Sequence, residues 1–68
     1  MAINELVLYD RTSTQNVIYT GTTASGTDTD AEAWTISETT LDENSQVVSI
    51  KWAEGLNAWS DRTTLEYN

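Results

Sequence analysis

Residues 34–52 read Trp34-Thr35-Ile36-Ser37-Glu38-Thr39-Thr40-Leu41-Asp42-Glu43-Asn44-Ser45-Gln46-Val47-Val48-Ser49-Ile50-Lys51-Trp52. In the first half Trp34 and Ile36 alternate with Thr35, Ser37 and Thr39, the period of two that marks a half-buried strand over Trp34 to Leu41. Asp42 to Gln46 is a run of turn-forming polar residues. Beyond it Val48, Ile50 and Trp52 alternate with Ser49 and Lys51. Two alternating runs joined by a short polar turn predict an antiparallel β-hairpin.

Outward from this hairpin, the N-terminal side carries a second one. A strand is predicted from Ile3 to Asp10, centred on the near-continuous apolar run Leu6-Val7-Leu8-Tyr9, with a turn over Asp10 to Gln15 and a second strand from Asn16 to Gly21. A strand that is apolar on both faces is covered on both, by its own fold or by a neighbouring chain. Leu6, Leu8 and Tyr9 are therefore interface candidates. Between the hairpins, residues 21–32 hold no apolar side chain larger than alanine and predict a long exposed loop, with a short helical turn at Asp30-Ala31-Glu32-Ala33. On the C-terminal side a loop from Gly55 to Asp61 precedes Thr63, Leu65 and Tyr67, which alternate with Thr64 and Glu66 as a fifth strand. No window sustains a helical apolar period. The expectation is an all-β fold, a small antiparallel meander or a five-stranded barrel or sandwich, with residues 1–68 as one domain.

Composition narrows what such a domain does. A chain of 68 residues holds one core, and for so small a core the folding balance comes out near zero unless something supplements it. There is no cysteine and no histidine, so disulfides and the usual zinc sites are excluded. The three tryptophans and three tyrosines are then the expected core, with oligomerisation as the other stabilising device. Eleven acidic residues against three basic ones give a net charge of −8, which argues against nucleic acid and anionic membrane surfaces as partners. The opening Met1-Ala2-Ile3-Asn4-Glu5 lacks the basic start and apolar run of a signal peptide, so synthesis in the cytoplasm is expected.

Catalysis by a nucleophile with an adjacent base has no cysteine or histidine to draw on. A domain of this size also has little room for an enclosed substrate pocket. The expectation is a non-enzyme with no cofactor and no small-molecule substrate. Asp28, Asp30 and Glu32 alternate as oxygen ligands for Ca²⁺ could, but the positions where a calcium loop needs Gly and Glu hold Ala33 and Thr39, which favours a solvated acidic loop. Trp59 and Arg62 belong to the residue types enriched at interface hot spots. They also suit a structural role that ties down a turn together with Asp61, and that role comes first in a domain needing every tryptophan for its core.

The ordered pattern Tyr19-x-Gly21, Gly26-Thr27, Trp34-x-Ile36, Trp52-Ala53-x-Gly55 and Trp59-x-Asp61-Arg62-x-x-Leu65-x-Tyr67 resembles a group of small proteins that tailed bacteriophages encode among their virion genes. The resemblance spans residues 19–67 and is most specific in its ending. The segment Leu56-Asn57-Ala58 ahead of Trp59 is shorter here than in that group. What the resemblance implies is a setting, a virion or tail-associated role suggested by gene neighbourhood, and no mechanism. Two functional readings result. One is a structural subunit of a phage particle, made in the host cytoplasm and placed in the virion at a tail, connector or capsid surface, acting as a homo-oligomer or by docking on other virion proteins. The other is a small acidic binding module that engages a basic host protein, whose binding would weaken with salt.

Overall fold

A computed structural model of the chain describes residues 5–12 and 16–68. Four antiparallel strands, β1 (Glu5–Thr12), β2 (Val17–Ala24), β3 (Thr35–Leu41) and β4 (Val47–Trp52), form one sheet in the order β1-β2-β3-β4. This is an all-β meander. The sheet is open: β1 and β4 are its two edges, and among the described residues no strand pairing joins them into a barrel. β1 runs on to Thr12 instead of turning at Asp10, and β2 continues past Gly21 to Ala24, so the first hairpin is longer than the sequence predicts. Ile3 and residues 13–15 of the predicted first turn lie outside the described residues.

The fifth strand does not form. A single turn of 3-10 helix occupies Trp59–Asp61, and the carbonyl of Asp61 accepts from both the Thr64 amide (2.9 Å) and the Thr64 hydroxyl (3.0 Å), which bends the chain where an extended run was expected. Of the predicted strand, Tyr67 alone pairs, through an isolated bridge to Ala53. The reason is the core. The C-terminal segment crosses one face of the sheet and brings Trp59, Leu65 and Tyr67 down onto it, where the same segment laid along an edge would leave that face wet.

Cross-strand register fixes which residues share that covered face. Leu8 lies opposite Gly21 and Gly21 opposite Ile36; Asp10 lies opposite Tyr19, Tyr19 opposite Glu38, and Glu38 opposite Lys51. Directly opposed residues project to the same side. The core is accordingly Tyr19, Trp34, Ile36, Ala53 and Trp59, with Leu6, Leu8, Val17, Leu65 and Tyr67 packed around them. Trp34 and Ile36 are wholly buried, and the Trp34 and Trp59 rings meet at 5.9 Å between centroids. Gly21 sits beneath this pair. A Cβ on it would stand 2.5 Å from Trp59 Cε3 and 3.1 Å from Trp34 Cε3, so the absent side chain is what lets both indoles lie against β2.

The loop between β2 and β3 contains tight turns rather than the helical turn predicted at Asp30 to Ala33: the Ala31 amide donates to the Asp28 carbonyl (3.1 Å) and the Ala33 amide to that of Ala31 (2.8 Å). It is pinned to the core. Trp34 Nε1–H donates to the Asp28 carbonyl (3.0 Å) and the Ser60 amide to the Thr29 carbonyl (3.1 Å), so a loop without apolar side chains still closes the end of the core by hydrogen bonds.

Candidate functional site

Two of the six aromatics expected in the core are outside it. Tyr9 is 64% exposed and Trp52 53%. For Trp52 the cause is a register shift. At the β3–β4 turn Leu41 opposes Val47, but a bulge between Thr40 and Leu41 moves the pairing by one residue, so that Thr39 opposes Ile50 and Ser37 opposes Trp52. One residue of slip exchanges the faces of a strand. The apolar set of β4 is thereby placed on the side opposite Trp34 and Ile36.

No residue of the core cluster lies on that second face, where Ser37 at the centre is buried between its neighbours and the side chains toward the edges are exposed. Its rows read Tyr9–Thr20–Ser37–Trp52 and Arg11–Ile18–Thr39–Ile50 across all four strands, with Val7–Thr22–Thr35 alongside. Apolar side chains therefore flank both edges and β-branched or small hydroxyl residues fill the centre. Val7 and Ile50 are each more than half exposed, as are Tyr9 and Trp52, an amount of apolar surface that soluble domains usually keep for a partner. The chain's heavy negative charge is largely elsewhere: Asp28, Asp30 and Glu32 are in the β2–β3 loop, Asp42 and Glu43 in the β3–β4 turn, Glu54, Asp61 and Glu66 in the C-terminal segment, and Asp10 and Glu38 on the covered face. On the open face β1 contributes Glu5 at one end and Arg11 at the other.

The directions of the backbone groups follow from alternation along each strand. The Leu41 amide donates to the Asn16 carbonyl (2.8 Å), so the even-numbered residues of β2 bond to β3 and its odd-numbered ones to β1. On β1, Leu6, Leu8, Asp10 and Thr12 then face β2, while the backbone groups of Glu5, Val7, Tyr9 and Arg11 point away from the sheet. On β4, beyond the bulge, the same logic turns Ile50 and Trp52 outward. Trp52 is already satisfied, since it exchanges two 3.0 Å hydrogen bonds with Asn68.

On the covered face the interface candidates Trp59 and Arg62 have structural partners. Trp59 is buried in the core. Arg62 Nε donates to Asp10 Oδ2 at 3.0 Å, Nη1 donates to the Trp59 carbonyl at 3.2 Å, and the guanidinium lies 4.7 Å from the centre of the Trp59 ring. Its own carbonyl accepts from the Tyr67 hydroxyl at 2.6 Å. One side chain thus ties the C-terminal segment to β1. Burial pushes the Tyr67 hydroxyl up to about 12, with Tyr19 and Glu38 adding to the shift. Tyr19, 5.8 Å from Tyr67 between ring centroids, is also raised, by burial first and then by the Glu38 carboxylate. Leu6 and Leu8 are half-buried against the core, and Tyr9 stands free on the open face.

The structure thus separates the five candidates: Tyr9 lies on the open face, while Leu6, Leu8, Trp59 and Arg62 lie on the covered one. Val7, Ile50 and Trp52 were not singled out from the sequence, because alternation reports that a strand has an apolar face and not which side of the sheet that face meets. The opposed charges of Glu38 and Lys51 were the available signal for this register. Among the described residues no group of three or more His, Cys, Asp or Glu side chains is placed to hold a metal ion. A groove of about 390 Å³, wide open to solvent, runs between Glu5, Thr22, Thr27 and Thr35, lined by threonines, Ala24, Ala33 and one carboxylate. No described helix is long and apolar enough to cross a membrane. Comparison with known proteins finds no family model, no curated protein and no solved structure that matches the chain.

Proposed function

We propose that this chain is a non-catalytic structural subunit that works by seating its open sheet face against other protein in an assembly. One observation carries this reading: the core cluster covers one side of the sheet only, and the other side presents Val7, Tyr9, Ile50 and Trp52 to solvent. A two-layer domain with a single layer of cover is half of a sandwich, and the missing layer is supplied from outside. The resemblance to small virion-encoded proteins of tailed phages provides the setting, a particle in which many copies are held at fixed positions. In that setting the acidic loops keep unassembled copies soluble, and a partner's sheet or helix layer on the open face would complete the sandwich anticipated from the sequence.

The test is incorporation into particles. Peptide mass spectrometry of gradient-purified virions from the encoding phage should find the chain at a fixed ratio to the major capsid protein, and a variant with Ile50→Lys on the open face should be lost from the particle while remaining folded. Reproducible absence of the unaltered chain from virions, with the protein abundant in the lysate, would overturn this reading in favour of the acidic module that binds a basic host protein. Retention of the Ile50→Lys variant at full ratio would show that the open face is not what docks.

A further inference from the structure

The outward edge of β1 is self-complementary. Glu5, Val7, Tyr9 and Arg11 point their backbone donors and acceptors away from the sheet, and the same four side chains lie on the open face. If a second β1 is laid antiparallel beside the first with a two-fold axis through Leu8, Glu5 falls opposite Arg11 of the second copy and Val7 opposite Tyr9 of the second copy. Each pair recurs on the other side of the axis. All of these residues have outward backbone groups, so each opposed pair is a hydrogen-bonded pair of an antiparallel ladder, and Leu8 meets Leu8 of the second copy in a non-hydrogen-bonded pair. A carboxylate then meets a guanidinium and a branched aliphatic meets an aromatic ring, both favourable cross-strand combinations. Moving the axis by half a residue opposes outward with inward residues and breaks the hydrogen-bond alternation. Centring it on Val7 or Tyr9 takes Glu5 and Arg11 out of register with each other.

Charge selects this edge for a second copy. The chain as a whole is strongly acidic, yet β1 holds Glu5 and Asp10 against Arg11, and Asp10 is neutralised by Arg62. Two of the chain's three basic residues are therefore at this edge, where two like-charged copies can meet without net repulsion. Arg11 is available to the contact: within the chain its guanidinium makes a long 3.4 Å hydrogen bond to Ser45 Oγ, which leaves most of its donors free. The opposite edge is less suited, because Asn68 occupies Trp52 and the bulge interrupts the outward run of β4 beyond Ile50.

We propose that two copies pair through β1 about a two-fold axis at Leu8, forming a continuous eight-stranded antiparallel sheet whose open faces merge into one docking surface. This rests on the docking reading above in that the merged face is what the assembly receives. An isologous contact uses the β1 edges of both copies at once and so closes on itself, leaving neither β1 edge to recruit a third copy.

The experiment is sedimentation of the purified chain at micromolar concentration, with variants at the edge. The unaltered chain should be dimeric. Val7→Pro removes an outward amide that β2 does not use, so the fold should survive by circular dichroism while the dimer is lost. Glu5→Arg and Arg11→Glu should each weaken dimerisation by about tenfold or more through paired like charges. An equimolar mixture of those two variants should recover the dimer, because every pair is then opposite in sign. Leu8→Cys supplies the lone thiol in the chain, and at a non-hydrogen-bonded pair the Cα separation of about 4.5 Å allows a disulfide on oxidation; Val7→Cys should not cross-link. A chain that stays monomeric, or a dimer indifferent to Val7→Pro, overturns the edge pairing. A dimer abolished by Ile50→Lys and untouched by Val7→Pro would place the contact on the open face instead, refuting the pairing while sparing the docking reading, whose own test is incorporation into particles.

Discussion

Replacing Gly21 by alanine should destabilise the fold, although alanine is normally the better residue within a strand. The new Cβ would lie 2.5 and 2.7 Å from Trp59 Cε3 and Cζ3 and 3.1 Å from Trp34 Cε3. Ordinary carbon contacts are about 3.5–4.0 Å, so the Trp59 ring must retreat by about 1 Å. It has little room to do so. Trp34 packs on it at 5.9 Å, the Arg62 guanidinium lies over it, and the 3-10 turn fixes its backbone. Overpacking of this kind costs about 1–3 kcal/mol, and the reduced entropy of the unfolded chain returns about 0.4–1 kcal/mol, leaving a net loss of about 1–2 kcal/mol. In a domain of this length that corresponds to a fall of roughly 5–15 °C in melting temperature. Urea and thermal unfolding followed by circular dichroism would measure it. A Trp59→Leu background should shrink the cost, because the clash is with the indole. A Gly21→Ala protein as stable as the parent would refute the close approach of Trp59 to β2.

Asp10→Asn should cost about 0.5–1 kcal/mol and the difference should narrow in high salt, whereas Arg62→Met, which also loses the stacking on Trp59, should cost about 1–2 kcal/mol; equal effects in urea unfolding would remove the ring contact from the account. The Tyr67 hydroxyl is held near 12 against an ordinary 10, so the folded chain keeps a proton that the unfolded chain releases, and this contribution is complete below pH 10 and lost as pH rises towards 12. Phenolate absorbance of the folded protein should therefore lag that of the urea-unfolded protein, with a smaller lag in Tyr67→Phe; superimposable curves would show the hydroxyl to be open to water. Asp42 Oδ1 accepts from the amides of Asn44 (2.8 Å) and Gln46 (3.0 Å) and organises the β3–β4 turn, so Asp42→Ala should lower the urea midpoint by an amount equivalent to about 1 kcal/mol, and no change would show that the turn forms without it.

The strands were legible because alternation and turn chemistry agree at the same places: Trp34 and Ile36 read as buried and are, and Asp42 to Gln46 reads as a turn and is one. Face assignment was less so. The bulge at Thr40 and Leu41, marked in the sequence only by the opposed charges of Glu38 and Lys51, decides that Trp52 and Ile50 look outward. The end of the chain was misread for a different reason. Thr63, Leu65 and Tyr67 have strand spacing, but the cost of leaving Trp34 and Trp59 unroofed outweighs strand propensity, and tertiary packing turns the segment over the core. The structural roles of Trp59 and Arg62 were readable as a class of role, though the partner Asp10, 52 residues away in sequence, was not.

The placement of the three indoles gives the chain two optical signals that report on different events. Trp34 and Trp59 are packed together out of reach of solvent, so exciton coupling between them marks an intact core. Trp52 stands in water on the other side of the sheet. A neutral quencher such as acrylamide should reach Trp52 first, and a partner seated on that face should shield it while the coupled pair keeps its signature. Loosening of the core would do the reverse, with loss of the coupling and no protection of Trp52. The native protein can therefore distinguish docking from unfolding without an added label.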